Sequence, residues 1–309
     1  MTMRLPDGVL GMAGRDADWA VWVDRLPRMV DDLHGEWELT ADGWAMHGYT
    51  SLVVPVRTAR GRPAVLKIGF PDDESEHEHL ALQRWGGRGA VRLLRAEPHR
   101  RALLLERLHH ADLRDLRDVE ACEVVAGLYR RLHAPALPQL RTVASYVERW
   151  TAALAGLPRD APIPRRLVEQ ALSLAPDLLA DQQDLRIVHG DLHYFNVLAA
   201  DREPWLAIDP KPMAGDPHYE PAPMLWNRFE ELAAPRSGRS VRNGVRRRFH
   251  ALVDAAGLDE DRARDWVVVR MVLNAHWAVE DAARQDRVLT EEERCGITEG
   301  IAIAKAVQE

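Results

Sequence analysis

The spacing of apolar residues changes once along this chain of 309 residues, and that change limits the folds open to it. In the first third the apolar runs are short and bounded by turn signals. Trp37-Glu38-Leu39 alternates and leads into Asp42-Gly43; Leu52-Val53-Val54-Pro55-Val56 and Ala64-Val65-Leu66-Lys67-Ile68 flank Arg60-Gly61-Arg62. No helix separates these runs, so an antiparallel meander is expected rather than a Rossmann unit. Val91 to Leu94 and Ala102 to Leu105 read as two further strands about Pro98-His99. From Leu113 onward the repeat becomes three and four, as in Val124, Val125, Leu128 and Leu132. Helices are expected over 143–154, 164–174, 245–256 and 261–282. The fold class is therefore α+β, with a strand-rich N-terminal lobe over 1–107 and a mainly helical C-terminal lobe over 108–309. Glu106 to Leu108 is the expected connector. Trp19, Trp22, Val23 and Leu26 predict a short amphipathic helix at the start, within an otherwise loosely ordered first segment, and 231–243 reads as an exposed loop.

One stretch breaks the helical pattern of the second half. Leu185 to Val188 reads as a strand, a polar loop His189-Gly190-Asp191-Leu192-His193-Tyr194-Phe195-Asn196 follows, and Val197-Leu198 resumes as a strand. Leu206-Ala207-Ile208 then ends in Asp209-Pro210. Phosphoryl transfer needs one carboxylate to orient the attacking hydroxyl and take its proton, and an Asn and a second carboxylate to hold Mg²⁺ on the triphosphate. Asp191, Asn196 and Asp209 supply that set, and His-x-Asp-x-x-x-x-Asn matches the spacing of a protein-kinase catalytic loop. The alternative is a polar hairpin with unrelated carboxylates. His189 and His193 flank Asp191 four residues apart, which leaves a zinc site open as a second alternative, although the His-Glu-x-x-His pattern is missing.

Two features of the meander fit the same chemistry. Lys67 stands inside an apolar strand, where kinases carry a phosphate-binding Lys, and where a Lys can also simply face solvent. Such a Lys needs a carboxylate to hold it. Pro71-Asp72 is expected to start a helix through Glu74, Glu76 and Glu78 to Trp85, closed by Gly86-Gly87, with Glu78 as partner of Lys67 and Glu74 as the fallback. Gly48-Tyr49-Thr50-Ser51 lies between strands; Gly48 and Ser51 there could bring backbone N–H groups to phosphate oxygens, or form a hairpin turn only.

Bulk properties exclude several classes. A net charge of −7 disfavours nucleic acid as main partner and suits a cationic ligand. Arg246-Arg247-Arg248 is expected to be a solvated helix face. Two cysteines, Cys122 and Cys295, give no disulfide framework or zinc spacing. No apolar run is long enough to span a bilayer, since Val267 to Val269 is cut by Arg270, and no basic region with an apolar stretch opens the chain. A cytoplasmic protein without membrane or protein partners is expected.

The order of these residues, with Leu104-Leu105-Glu106-Arg107-Leu108 between them, resembles the aminoglycoside phosphotransferase and choline-kinase-like superfamily. Trp85 to Leu94, Ala199 to Pro212 and Gly215-Asp216-Pro217 are similar to the streptomycin 6-phosphotransferase and hydroxyurea kinase branch, and the likeness runs over roughly 36–285. It implies a bilobal protein-kinase-like fold and an ATP- and Mg²⁺-dependent O-phosphotransferase. The streptomycin-like aminoglycosides are the first acceptor; hydroxyurea or another small hydroxyl metabolite is the alternative, and a nucleotide-binding protein without turnover is a third. It further implies that Lys67 meets the α/β-phosphates and that the backbone of Glu106 to Leu108 meets the adenine. Pro210 replaces the aromatic residue that follows the metal-binding Asp in protein kinases, which speaks against an activation-loop switch. Asp216 is expected to accept loop N–H groups.

For a cationic acceptor, acidic and aromatic residues should gather near Asp191. Glu220, Glu280 and Asp281 are the acidic candidates, with Trp226 and Asn227 for a sugar ring. Trp226 and Trp277 at helical spacing are more often core residues, and Glu280-Asp281 near a helix end could equally be solvated.

Overall fold

The structure is a computed structural model and describes residues 4–158, 161–180, 184–233 and 240–308. The chain divides into two compact units, Met1–His110 with Ala199–Pro204, and Ala111–Leu198 with Trp205–Glu309. The excursion at Ala199–Pro204 belongs to the first unit, which a single cut after residue 107 does not capture.

The first unit opens with helices α1 (Asp7–Met12) and α2 (Ala17–Glu36). Asp16 caps α2 by accepting from the N–H groups of Asp18 and Trp19, and Trp22, Val23, Leu26, Val30 and Leu33 form its buried stripe. The start of the chain is thus helical from Asp7, more ordered than its composition suggests. Strands β1 (Thr40–Ala41), β2 (Met46–His47), β3 (Ser51–Arg57), β4 (Pro63–Gly69), β5 (Leu93–Glu97) and β6 (Ala102–Glu106) form one antiparallel sheet in the order β1-β3-β4-β6-β5, with β2 also on β3. Trp37 to Leu39 leads into the sheet without joining it. The core joins the α2 stripe to Leu52, Val54, Val56, Leu66, Ile68 and Leu104. Trp19 stacks on Phe70 at 3.7 Å, and Trp22 Nε1 donates to the Gly69 carbonyl at 3.2 Å, so helix and strand end are fixed together.

Helix α3 (Glu78–Trp85) starts later than the acidic run suggests. Asp72 accepts from the N–H and hydroxyl of Ser75, at 2.7 and 2.9 Å, so the segment before Glu78 is a side-chain-stabilised turn rather than a first helical turn. Gly86, at φ 58°, ends α3 in the left-handed conformation expected of it.

The second unit contains α4 (Asp118–Leu132), α5 (Val143–Ala155), α6 (Arg165–Ala180), β7 (Arg186–Val188), β8 (Val197–Ala199), β9 (Trp205–Ala207), β10 (Met213–Gly215), α7 (Ala222–Trp226), α8 (Phe229–Ala233), α9 (Val241–Ala256), α10 (Glu260–Arg284) and α11 (Glu291–Ala306). β7 pairs with β10 and β8 with β9. Within the expected loop over 231–243, residues 231–233 end α8 and 241–243 begin α9, while 234–239 lies outside the described residues. Helix α11 begins with a capping box between Thr290 and Glu293. Arg248 corrects the expectation of a solvated arginine face. It is fully buried and donates to Asp118 at 3.0 Å and to the Asn227 carbonyl at 2.8 Å. Among the described residues no helix is long and apolar enough to cross a membrane.

Candidate active site

In the first unit the antiparallel register sets Lys67 opposite Val53 on one side and Leu103 on the other. All of β4 from Leu66 to Gly69 is buried, so the ammonium needs an internal partner. Glu78, the first residue of α3, supplies it: Nζ lies 2.7 and 2.6 Å from the two carboxylate oxygens, and both residues are buried. The Asp72–Ser75 turn delays the helix so that its first residue, not its interior, meets the strand.

The hairpin turn before β3 is self-contained at the two positions singled out from sequence. The Gly48 N–H donates to the Ser51 carbonyl at 2.9 Å, Ser51 is buried, and a Cβ on Gly48 would stand 2.7 Å from Ser51 Oγ. This corrects the expectation that the Gly48 N–H is offered to phosphate. Glu106 is likewise committed. Its N–H donates to the Arg92 carbonyl at 3.0 Å, and its carboxylate accepts from the Arg92 N–H and from Arg202. Burial pushes the Glu106 carboxyl up, but the hydrogen bonds from Arg202 and Arg92 outweigh it and hold the group below its usual range. Of the expected adenine-facing backbone, Arg107 and Leu108 follow, both half-buried.

In the second unit the loop after β7 is held from below by Glu220, which is fully buried. Its two oxygens accept from the N–H groups of His189, at 2.5 Å, and Gly190, at 3.2 Å. Burial alone would raise its pKa, yet His133, whose Nε2 lies 3.5 Å away, and the loop donors lower it. At 3.5 Å the His133 contact is an electrostatic attraction rather than a good hydrogen bond. Glu220 is therefore a brace for the loop and not the acceptor-lining carboxylate expected from sequence. Arg270, buried in α10, completes the support by donating to the carbonyls of Gly190 and Tyr219 at 2.9 and 2.8 Å.

Gly190 has φ 79°, and a Cβ there would meet the Lys211 carbonyl oxygen at 2.5 Å, so this position requires glycine. His189 accepts from the Asp191 N–H through Nδ1 and faces the Ile208 carbonyl through Nε2 at 3.0 Å. Both ring nitrogens are used, which leaves none for zinc. Burial, the largest influence, pushes its pKa below 6.5. These bonds present the half-buried Asp191 carboxylate, with Lys211 Nζ 3.2 Å from one oxygen and His193 Nε2 3.7 Å from the other. Asn196 Nδ2 donates to the Asp191 carbonyl at 2.8 Å, which turns its Oδ1 away as an oxygen donor. Ile208 N–H donates to the Asn196 carbonyl at 2.9 Å and so anchors the segment that ends in Asp209, a residue in the left-handed region at φ 55°. An amide oxygen and a carboxylate are hard donors of the type Mg²⁺ takes, so the residues fit that ion.

The remaining candidates are scattered. Asn227 closes α7: its side chain donates to the Pro223 carbonyl at 2.9 Å, and its own carbonyl accepts from Arg248. Trp226 stands 5.1 Å from the Arg270 guanidinium as a stacking partner, not as an open sugar platform. Asp281 is tied to Arg284, Gln285 and Arg287, which cancels the negative charge it would offer a cation. Glu280 is exposed beside exposed Trp277 on α10. Asp216 accepts from the His218 N–H at 2.9 Å and from Trp266 at 2.7 Å, as expected of a structural carboxylate. Lys211 and Arg270 were not singled out from sequence for a role. The signal for Arg270 was present as a cation in the apolar run Val267-Val268-Val269-Arg270-Met271.

The family model for aminoglycoside/hydroxyurea antibiotic resistance kinases matches residues 36–282. A streptomycin 6-kinase of Streptomyces glaucescens is 42% identical over 274 residues, covering 85% of this chain and 86% of the relative. A hydroxyurea phosphotransferase of Kitasatospora aureofaciens is 42% identical over 279 residues, covering 88% and 77%. Among solved structures, a spectinomycin phosphotransferase in complex with ADP and spectinomycin superposes with a TM-score of 0.58 at 15% identity, covering 91% of this chain and 98% of that one. The last likeness concerns the fold alone; the matched model and the two relatives at this identity show that the chain belongs to the aminoglycoside/hydroxyurea antibiotic resistance kinase family.

Proposed function

We propose that this kinase transfers the γ-phosphoryl group of ATP to a hydroxyl of a streptomycin-like aminoglycoside, at the 6-position, and thereby confers resistance. The observation that carries the chemistry is the braced loop at 189–196, which offers one carboxylate, Asp191, beside the oxygen donor Asn196. Asp191 orients the acceptor hydroxyl and receives its proton as the oxygen attacks. Lys67, held by Glu78, pairs with the α- and β-phosphates. Asn196 and Asp209 would hold Mg²⁺, which when bound neutralises charge on the β- and γ-phosphates. Most of the catalysis then comes from positioning, because a loose phosphoryl transition state asks little of a base.

One observation favours streptomycin over hydroxyurea as acceptor: the net charge of −7 suits a cationic acceptor, for which Glu280 is the remaining acidic candidate. A cytoplasmic location fits ATP use and the two free thiols, Cys122 and Cys295. The test is incubation with ATP and Mg²⁺ against streptomycin, hydroxyurea and a panel of other hydroxyl compounds, with mass spectrometry of the products. Streptomycin carrying one added phosphate is the expected product. Unchanged streptomycin beside a phosphorylated compound of another class would remove the acceptor assignment.

A further inference from the structure

We propose that Lys211 is a further catalytic residue, a cation that orients the Asp191 carboxylate and compensates the charge of the phosphoryl group in flight. The proposal rests on the assignment of Asp191 above. Three features of the segment Asp209-Pro210-Lys211 carry it. Its backbone is clasped to the loop from both sides: the Lys211 N–H donates to the His189 carbonyl at 2.9 Å, and the Lys211 carbonyl packs where a side chain on residue 190 would be. Its ammonium reaches Asp191 Oδ2 at 3.2 Å. Its side chain is still 40% exposed, unlike that of Lys67, whose exposure is 10%.

These facts separate the two lysines. Lys67 is sequestered by a bidentate carboxylate inside the sheet. Lys211 stands at the surface, beside the oxygen that meets the acceptor. A hydroxyl hydrogen-bonded to Asp191 places its oxygen about 3 Å from the carboxylate, within reach of the same ammonium. In the transfer, the acceptor oxygen forms a bond to the γ-phosphorus, the bond to the β,γ-bridging oxygen breaks, ADP leaves and the hydroxyl proton passes to Asp191. Negative charge on the equatorial oxygens then lies next to Lys211, where a fixed cation lowers the barrier.

The test replaces and restores the charge in the full-length protein. Lys211→Met is expected to lower kcat by about 100-fold, the scale of losing one preorganised electrostatic contact, with the KM for acceptor changed by less than about threefold. Lys211→Arg is expected to retain an intermediate rate. Lys211→Cys in a Cys295→Ser background, which removes the exposed native thiol, should be as slow as Lys211→Met and regain at least about tenfold after alkylation with 2-bromoethylamine, which rebuilds an ammonium at nearly the same reach, and nothing after iodoacetamide. A rate for Lys211→Met within about threefold of the parent, or a Cys variant that neither alkylation changes, would overturn the proposal. The parent protein is scored first on the acceptor panel, and the variants are compared with the acceptor it turns over. A failure of the streptomycin assignment is thereby read separately from a failure of Lys211.

Discussion

At the residue scale, two positions decide whether the loop exists. Glu220 satisfies two buried N–H groups with two oxygens. Glu220→Gln presents an amide NH₂ to one of those donors, so a buried N–H is left facing another donor. It should destabilise the protein by about 2 kcal/mol in urea unfolding and lower kcat while leaving the KM for acceptor unchanged. If the acceptor KM alone rose, Glu220 would be an acceptor ligand after all. Gly190→Ala meets both a left-handed φ of 79° and a backbone oxygen 2.5 Å from the new Cβ. It should cost about 2 kcal/mol of stability and most of the activity, checked by thermal unfolding and initial rates. Full activity and an unchanged Tm would show that the loop tolerates another conformation. Asp191, Asn196 and Asp209, to which the phosphoryl transfer is assigned in the proposal, were legible in the sequence because kinase chemistry demands fixed residue types at fixed spacing. The role of Glu220 was not, because a carboxylate 30 residues after Gly190 reads the same in sequence whether it faces solvent or a buried N–H pair.

At the element scale, the period change located the sheet of the first unit and the helices of the second, since burial of one face imposes the pattern. The misplacements arose where side-chain hydrogen bonds compete with the helix. Asp72 and Ser75 hold a turn where acidic residues suggested a helix start, and Trp37 to Leu39 alternates without pairing. The short strand β10 was missed because Met213-Ala214-Gly215 carries almost no pattern, and β7 specifies it by pairing. The β4–α3 contact gives a test that separates structure from function. Glu78→Ala leaves the Lys67 ammonium buried without its bidentate partner and should destabilise the protein by about 3 kcal/mol. The double replacement Lys67→Met with Glu78→Leu fills the same space with apolar groups. It should recover most of that stability in denaturant titration yet show no phosphoryl transfer. Activity in the double variant would sink the phosphate-binding role of Lys67.

For the whole molecule, the buried loop histidine sets a pH dependence. His189 has a folded pKa below the 6.5 it takes when unfolded, because burial disfavours its charged form. Below pH 6.5 the unfolded chain then binds more protons than the folded one, so stability is fully present above pH 6.5 and falls as the pH drops toward the folded value. Asp216 and Glu220, both held below their ordinary pKa, add a further loss as the pH falls below their unfolded values of 3.8 and 4.5. His34, His79, His193 and His276, lowered by burial as well, act in the same direction, so the urea midpoint should decline from about pH 7 to about pH 5 and more steeply below about pH 4; a flat profile down to about pH 5 would mean that His189 is charged in the fold. Single-turnover transfer from ATP to streptomycin, with the parent protein and Asp191→Asn, decides whether Asp191 handles the acceptor hydroxyl. The amide keeps the shape of the side chain and leaves the backbone carbonyl that holds Asn196, but it cannot take a proton. Transfer is expected to fall by about 100-fold or more, with an unchanged Tm and intact nucleotide binding. Transfer at the parent rate in the Asp191→Asn protein would contradict that role.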